Sequence, residues 1–300
     1  MIQIQNLTKC FENETALSDI TLTIPDGEVF GLIGTNGAGK STLLRILSGV
    51  LRQDEGSVRV DGEAVWENEK VKQTIAFIPD EAYFFPNATP REMAAFFAAA
   101  RDAFDFERFE DLTRRLKLDP ARPIRTFSKG MKKQLAVILG LSTGAKYLLC
   151  DETFDGLDPV MRQAVKSLFA GDMVERGLTP VIASHNLREL EDICDRVGLL
   201  HKGGILLSEE LAGMKQKLHK IQCVIPDAEK EKEMLTALSP LRTVRQGQLM
   251  MLTVRGTREE LLRTVDAAEP VFSEILPLSL EEIFIGETEA IGYEVRDILG

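Results

Sequence analysis

The sequence predicts an α/β fold: a mostly parallel sheet covered by helices, followed by a smaller α+β domain. Three observations predict it. Short apolar runs alternate with helical patterns over residues 1–211, the order expected of parallel strands joined by helical crossovers. Within that stretch Val29-Phe30-Gly31-Leu32-Ile33 is continuously apolar, as in a strand covered on both faces. From residue 212 the texture changes to a βαββαβ order, ferredoxin-like in pattern, which assigns 212–300 to a separate small domain.

The elements follow in order. Ile2-Gln3-Ile4-Gln5 and the run 20–24 alternate apolar and polar residues, as half-buried strands do. The run 29–33 is the first buried strand. A glycine-rich loop follows it, then a helix over 41–47. Residues 56–60 alternate again and end at the Asp61-Gly62 turn. From 83 to 144 the character is helical. Pro90 suits the first turn of a helix over 91–101, and helical spacing continues in 106–116 and 129–141. Strand and helix then alternate: 147–150, 159–176, 181–183, 186–194 and 197–200. In the tail, 221–225 reads as strand and 228–238 as helix. Residues 243–245 and 249–254 form a hairpin around Gln246-Gly247, followed by a helix over 257–267 and a strand over 271–276.

Composition narrows the function. The 300 residues are 44% hydrophobic and 28% charged, enough for one large domain and a small one. The formal charge of −11 repels phosphate backbones and anionic headgroups, so nucleic acid is not expected as a partner. Cys10, Cys150, Cys194 and Cys223 are scattered, which suggests neither a zinc pattern nor a disulfide framework. The chain starts without the apolar stretch of a signal peptide, and no apolar run approaches the roughly 20 residues of a membrane span. The expectation is a soluble chain that meets any membrane through a partner.

The strongest motif is Gly34-Thr35-Asn36-Gly37-Ala38-Gly39-Lys40-Ser41-Thr42, which fits the phosphate-binding pattern G-x-x-x-x-G-K-[ST]. Its glycines let the backbone turn tightly and aim N–H groups at phosphate oxygens. The helix that starts near Ser41 adds its positive end. Lys40 can reach β- and γ-phosphates, and Ser41 can hold Mg²⁺. A second acidic site lies in Tyr147-Leu148-Leu149-Cys150-Asp151-Glu152, where an apolar strand delivers two carboxylates at its end. Asp151 is placed to anchor Mg²⁺ and Glu152 to polarise an attacking water as general base.

With these motifs, residues 1–210 resemble the nucleotide-binding subunits of ABC transporters. Phe127-Ser128-Lys129-Gly130-Met131 stands where that family has its LSGGQ signature; Ser128 and Gly130 match, while Phe127, Lys129 and Met131 depart. The resemblance implies that Ser128 and Gly130 cap the γ-phosphate of ATP held by a second subunit. Asp155-Gly156-Leu157-Asp158 resembles the D-loop, which adds Asp158 to the nucleotide-binding set. His185 resembles the switch histidine, a catalytic group near the γ-phosphate, and Phe11 the aromatic residue that stacks on adenine. The Q-loop glutamine is replaced by Asp80 in Ile78-Pro79-Asp80-Glu81. A carboxylate there can bind Mg²⁺ more strongly than an amide but repels the γ-phosphate. The resemblance further implies a P-loop NTPase fold of the ABC type, with a mostly parallel core, an antiparallel β subdomain and a helical subdomain over 83–144. It implies ATP and Mg²⁺ as cofactors and ATP hydrolysis. It also implies a second ATP-binding subunit, identical or not, and integral-membrane permease subunits on the inner face of the cell membrane.

The tail Leu278-Ser279-Leu280-Glu281-Glu282-Ile283-Phe284 and the form of the signature resemble ATPases that serve exporters of the ABC-2 class. A soluble ABC protein acting on ribosomes or DNA fits less well, because this chain has one P-loop, no sustained heptads and an acidic balance. Residues beyond 212 contain none of the phosphate-binding motifs, so dimer contact or regulation is the role expected of them. Cutting the chain near Gly213 should therefore leave ATP binding intact, measured by equilibrium binding to the folded fragment.

Overall fold

The computed structural model describes residues 1–12 and 14–290. The chain forms two compact units, Met1–Ser208 and the residues from Glu209 onward. The break lies three residues before the boundary expected from composition, and residues 291–300 of the expected second domain lie outside the described residues.

The first unit opens with the strands β1 (Ile2–Phe11), β2 (Glu14–Ile24) and β3 (Phe30–Ile33), followed by helix α1 (Lys40–Leu47). Strands β4 (Glu55–Val60) and β5 (Glu63–Ala64), the short helix α2 (Glu69–Gln73) and strand β6 (Ile75–Ile78) come next. Three longer helices follow: α3 (Pro90–Ala100), α4 (Phe106–Arg115) and α5 (Lys129–Ser142). The chain then alternates through β7 (Tyr147–Asp151), α6 (Pro159–Arg176), β8 (Thr179–Ser184), α7 (Leu187–Glu191), β9 (Arg196–His201) and β10 (Gly204–Glu210).

Two sheets result. An antiparallel sheet runs β2-β1-β4-β5, and a six-stranded sheet runs β10-β9-β3-β8-β7-β6. In the second sheet β3 pairs in parallel with β8 and β9, and β7 with β6 and β8. Every residue of β3, β7 and β8 is buried, which explains why those segments read as unbroken apolar runs. Helix α1 packs against β2 of one sheet and β7 and β8 of the other. Its Leu43, Leu44, Ile46 and Leu47 join Ile20, Leu22, Leu149 and Val181 in one core. The helix that follows the glycine-rich loop is thus locked between the two sheets.

Helices α3, α4 and α5 pack on one another, and α5 also lies on β6. Thr89 caps α3 in a reciprocal capping box with Glu92, and Pro90 occupies its first turn. Where α5 crosses the sheet it carries Gly140: a Cβ there would stand 2.9 Å from Ile78 Cδ1 and 3.2 Å from Leu148 Cδ1. Two expectations differ. The run 186–194 is helical only over Leu187–Glu191, with Asn186 as its N-cap and Asp192 as its C-cap. The strands β5, β6 and β10 and the short helix α2 are additional.

The second unit holds α8 (Leu211–Lys217), β11 (Leu218–Val224), α9 (Ala228–Leu238), β12 (Arg242–Gln246), β13 (Leu249–Arg255), α10 (Arg258–Ala267), β14 (Phe272–Leu276) and α11 (Leu280–Ala290). Its sheet runs β12-β13-β11-β14 with antiparallel pairs throughout. Ile221, Cys223, Met250, Leu252 and Val254 alternate along β11 and β13 and pack with Met234, Leu238, Leu261 and Val265 of α9 and α10. No helix among the described residues is long and apolar enough to cross a membrane.

One ion cluster ties the helical part to the parallel core. Asp172 of α6 is 1% exposed and accepts hydrogen bonds from Arg176 Nε at 3.0 Å and Nη2 at 2.7 Å, and from Arg108 of α4. Arg176 also donates to the carbonyl of Ala145 at 2.7 Å. Removing the acid leaves two half-buried guanidinium groups without their counter-charge. Asp172→Ala should lower the unfolding free energy by about 3–5 kcal/mol, measured by urea denaturation.

Candidate functional site

The site is built at the C-terminal ends of three parallel strands. Ile33 of β3 lies opposite Ser184 of β8, and Asp151 of β7 opposite Ala183. The residues next in the chain, Gly34, Glu152 and His185, therefore emerge along one edge. This is the crevice in which open α/β sheets bind ligands.

The loop from Gly34 to Gly39 folds as the sequence requires. Gly39 has φ 105°, and a Cβ there would meet the Ala16 carbonyl oxygen at 2.6 Å. At Gly34 a Cβ would meet the Leu200 carbonyl oxygen at 2.5 Å. The loop is clamped between backbone segments that admit no side chain. Gly39 caps α1 without a side-chain acceptor, so the first amides of the helix are open to an anion. Lys40 is only 5% exposed; its Nζ donates to the carbonyls of Gly34 at 2.6 Å and Thr35 at 3.1 Å and lies 3.5 Å from Glu152 Oε1. These are replaceable partners for a cation positioned to receive phosphates.

Asp151 and Glu152 sit side by side in different surroundings. Asp151 is 3% exposed, and its Oδ1 has no hydrogen-bond partner. Burial pushes its carboxyl above the ordinary aspartate range, the charges of Glu152 and Asp80 add to this, and a hydrogen bond with Ser41 opposes them. A buried carboxylate oxygen without a donor, beside a hydroxyl, fits a hard divalent cation such as Mg²⁺. Among the described residues no cluster of three or more His, Cys, Asp or Glu is arranged for a metal. Mg²⁺ needs none, since it commonly takes one or two carboxylates and completes its shell with phosphate and water.

Glu152 takes a left-handed backbone with φ 48°, which is rare for a side chain of its size. Its N–H bonds the carbonyl of Ala183 at 2.9 Å, and its own carbonyl accepts from Lys133 Nζ at 2.6 Å and from the Asp155 N–H at 3.2 Å. Oε2 lies 2.9 Å from His185 Nδ1. A carboxylate so held can accept a proton from water and stay in place.

Phe11, Thr35, Asn36, Gly37, Gly39, Lys40, Ser41, Thr42, Asp80 and Glu152 line one cleft of about 550 Å³. Lys9 Nζ lies 5.3 Å from the centre of the exposed Phe11 ring. Gly34 and Ala38 support the cleft from behind, Ala38 being 3% exposed. Asp151 and His185 adjoin lining residues, Asp151 through Ser41 and His185 through Glu152, without lining the cleft themselves, and Ser128, Gly130 and Asp158 also stand outside the lining. Ser128 is exposed and caps α5, its hydroxyl accepting from the Met131 N–H at 3.2 Å. A Cβ on Gly130 would lie 3.4 Å from the Gly156 carbonyl oxygen, so the signature turn borders the D-loop turn. Asp158 caps α6 through the Met161 N–H at 2.9 Å.

Sequence reasoning missed Lys133 and Lys202. Lys202 lines the cleft from the turn after β9, where the Gly203 N–H bonds the Ala38 carbonyl at 3.2 Å. The Lys202-Gly203-Gly204 run after an apolar strand was the available signal. Lys133 gave none: a lysine in a polar helical turn reads as solvated.

The comparisons agree with the geometry. Residues 17–155 match the family described as ABC transporter. The chain is 30% identical to the ABC transporter ATP-binding protein YtrB of Bacillus subtilis (strain 168), covering 96% of this chain and 98% of that protein. It is 32% identical to the lantibiotic transport ATP-binding protein SrtF of Streptococcus pyogenes, over 71% of this chain and 92% of that one. A solved structure of the ATP-binding subunit of an ABC transporter superposes with a TM-score of 0.66 at 25% identity, covering 72% of this chain and 92% of that one. A likeness to YtrB that runs nearly end to end, on a fold of the ABC ATPase type, makes this chain a member of the ABC transporter family, an ATP-binding subunit with ATPase activity.

Proposed function

We propose that this subunit hydrolyses ATP within a pair of cassettes and drives integral-membrane permease subunits that export a substrate. The observation that carries the reading is the split site. Lys40, Ser41 and Glu152 line one cleft, while Ser128 and Gly130 sit outside it at an exposed helix N-terminus. An exposed helix N-terminus that lies outside the chain's own cleft is suited to the phosphate of a second subunit.

The residues then divide the work. Lys40 exchanges its loop carbonyls for the β- and γ-phosphates, and the open amides of α1 share the charge. Phe11 stacks on adenine. Ser41 and Asp151 hold Mg²⁺, which supplies charge neutralisation at the phosphates when bound. Glu152 takes a proton from the attacking water, and His185 orients its carboxylate. Ser128 and Gly130 close the partner's site, and Asp158 fixes the D-loop end of α6. Every group is present in one chain, which permits a homodimer with two competent sites.

An aromatic surface beside Asp80 supports the permease contact. Phe85 and Phe96 pair edge to face at 4.9 Å, flanked by Tyr83 and Phe97 at 6.1 Å each, and Tyr83 is 74% exposed. Such a patch is suited to a docking surface, which supports a position on the inner face of the membrane. The lantibiotic transport relative and the tail at 278–284 support export. The antiparallel order β12-β13-β11-β14 supports a ferredoxin-like second domain, and its sharing no residue of the cleft supports a role in dimer contact or regulation.

Lys40→Ala should abolish tight ATP binding and phosphate release. Glu152→Gln keeps size and reach but cannot accept the proton, so kcat should fall about 10²- to 10⁴-fold with ATP binding retained. In Mg²⁺ and ATP that variant should elute as a dimer in size-exclusion chromatography, and adding Ser128→Arg should return it to monomer. A Glu152→Gln protein with wild-type turnover would place the base elsewhere.

A further inference from the structure

Asp80 stands at the border of two clefts. It lines the nucleotide cleft and also a neighbouring hollow of about 310 Å³ with Lys129, Lys132 and Lys133. One of these lysines is committed to it. Lys133 Nζ lies 3.0 Å from Asp80 Oδ1, and the lysine side chain is 7% exposed against 47% for the aspartate. The same ammonium donates to the Glu152 carbonyl at 2.6 Å. A buried lysine with two anionic or carbonyl partners in one hydrogen-bond shell is a fixed cross-link.

Its three attachments are functionally unequal. Asp80 occupies the place of a neutral amide, and it lines the nucleotide cleft together with Lys40, Ser41 and Glu152. Glu152 holds a left-handed backbone that needs outside support. Lys133 itself lies on α5, about one and a half turns beyond the cap Ser128. We propose that Lys133 is a positioning residue for ATP hydrolysis: it neutralises Asp80 beside the γ-phosphate position and ties the Glu152 turn to the helix that begins at Ser128. The Asp80–Lys133 pair is neutral as a unit, as an amide would be. The helix that meets the partner's nucleotide is thereby joined to the backbone of the general base of its own site.

The inference rests on the ATPase reading of the cleft, and the test separates the two. Lys133→Met, Lys133→Gln and Lys133→Met/Asp80→Asn are compared with wild type for ATP affinity in EDTA and for kcat with Mg²⁺. Near-ultraviolet circular dichroism monitors the fold. Lys133→Met leaves the Asp80 carboxylate unbalanced, so its ATP dissociation constant in EDTA should rise about tenfold. Adding Asp80→Asn should restore affinity to within about threefold of wild type while kcat stays low, because the tie to the Glu152 carbonyl is still missing. Lys133→Gln keeps a donor for that carbonyl without charge, so it should lose affinity yet keep more kcat than Lys133→Met; it also serves if Lys133→Met does not fold. Unchanged affinity in Lys133→Met, or a loss that Asp80→Asn fails to repair, would overturn the proposal and leave Lys133 a packing residue. A wild-type protein that neither binds nor cleaves ATP would overturn the ATPase reading itself, and this inference with it.

Discussion

The register of three parallel strands is the constraint on which the site depends. With Ile33 opposite Ser184 and Asp151 opposite Ala183, the strands β3, β7 and β8 end level. The glycine loop, the carboxylate pair and the histidine leave the sheet at one edge for that reason alone. A slip of one residue would turn Asp151 toward the other face and carry Glu152 away from His185. With both faces of β7 and β8 buried, close packing on each side opposes such a slip, because every side chain would have to fit a place shaped by its neighbour.

The charges around this edge answer one another within the chain. Asp80, Asp151 and Glu152 bring three carboxyl groups together, answered by Lys40 and Lys133. Lys40 is already held by Gly34 and Thr35, so it need not be ordered on binding. On the proposed function, phosphate would replace one set of oxygen partners by another with little reorganisation.

Residue types made the core of this site legible. The P-loop glycines, the paired acids after an apolar strand and the serine ahead of a helix each name a local physical need. The β/α alternation gave the parallel sheet because buried strands cannot alternate. What escaped was what only packing creates. Residues 75–78 form a four-residue strand whose apolar run is too short to separate from a loop, with Pro79 directly after it. The run 186–194 has helical spacing, yet only Leu187–Glu191 is helical, and spacing alone does not fix where a helix ends. Lys133 reads as a surface residue in Lys132-Lys133-Gln134; its burial follows from α5 lying on β6, a tertiary fact.

Gly140 sets how closely α5 approaches that sheet. The absent side chain lets the helix rest on Ile78 and Leu148. Twelve positions back along the helix axis, about 18 Å away, stands Ser128. A methyl group at residue 140 would act as a wedge near the fulcrum of a long lever, and the displacement would grow toward the far end. A lesion remote from the glycine loop would thus displace Lys133 and the exposed start of α5 together, and with them the contacts of Lys133 to Asp80 and to the Glu152 carbonyl.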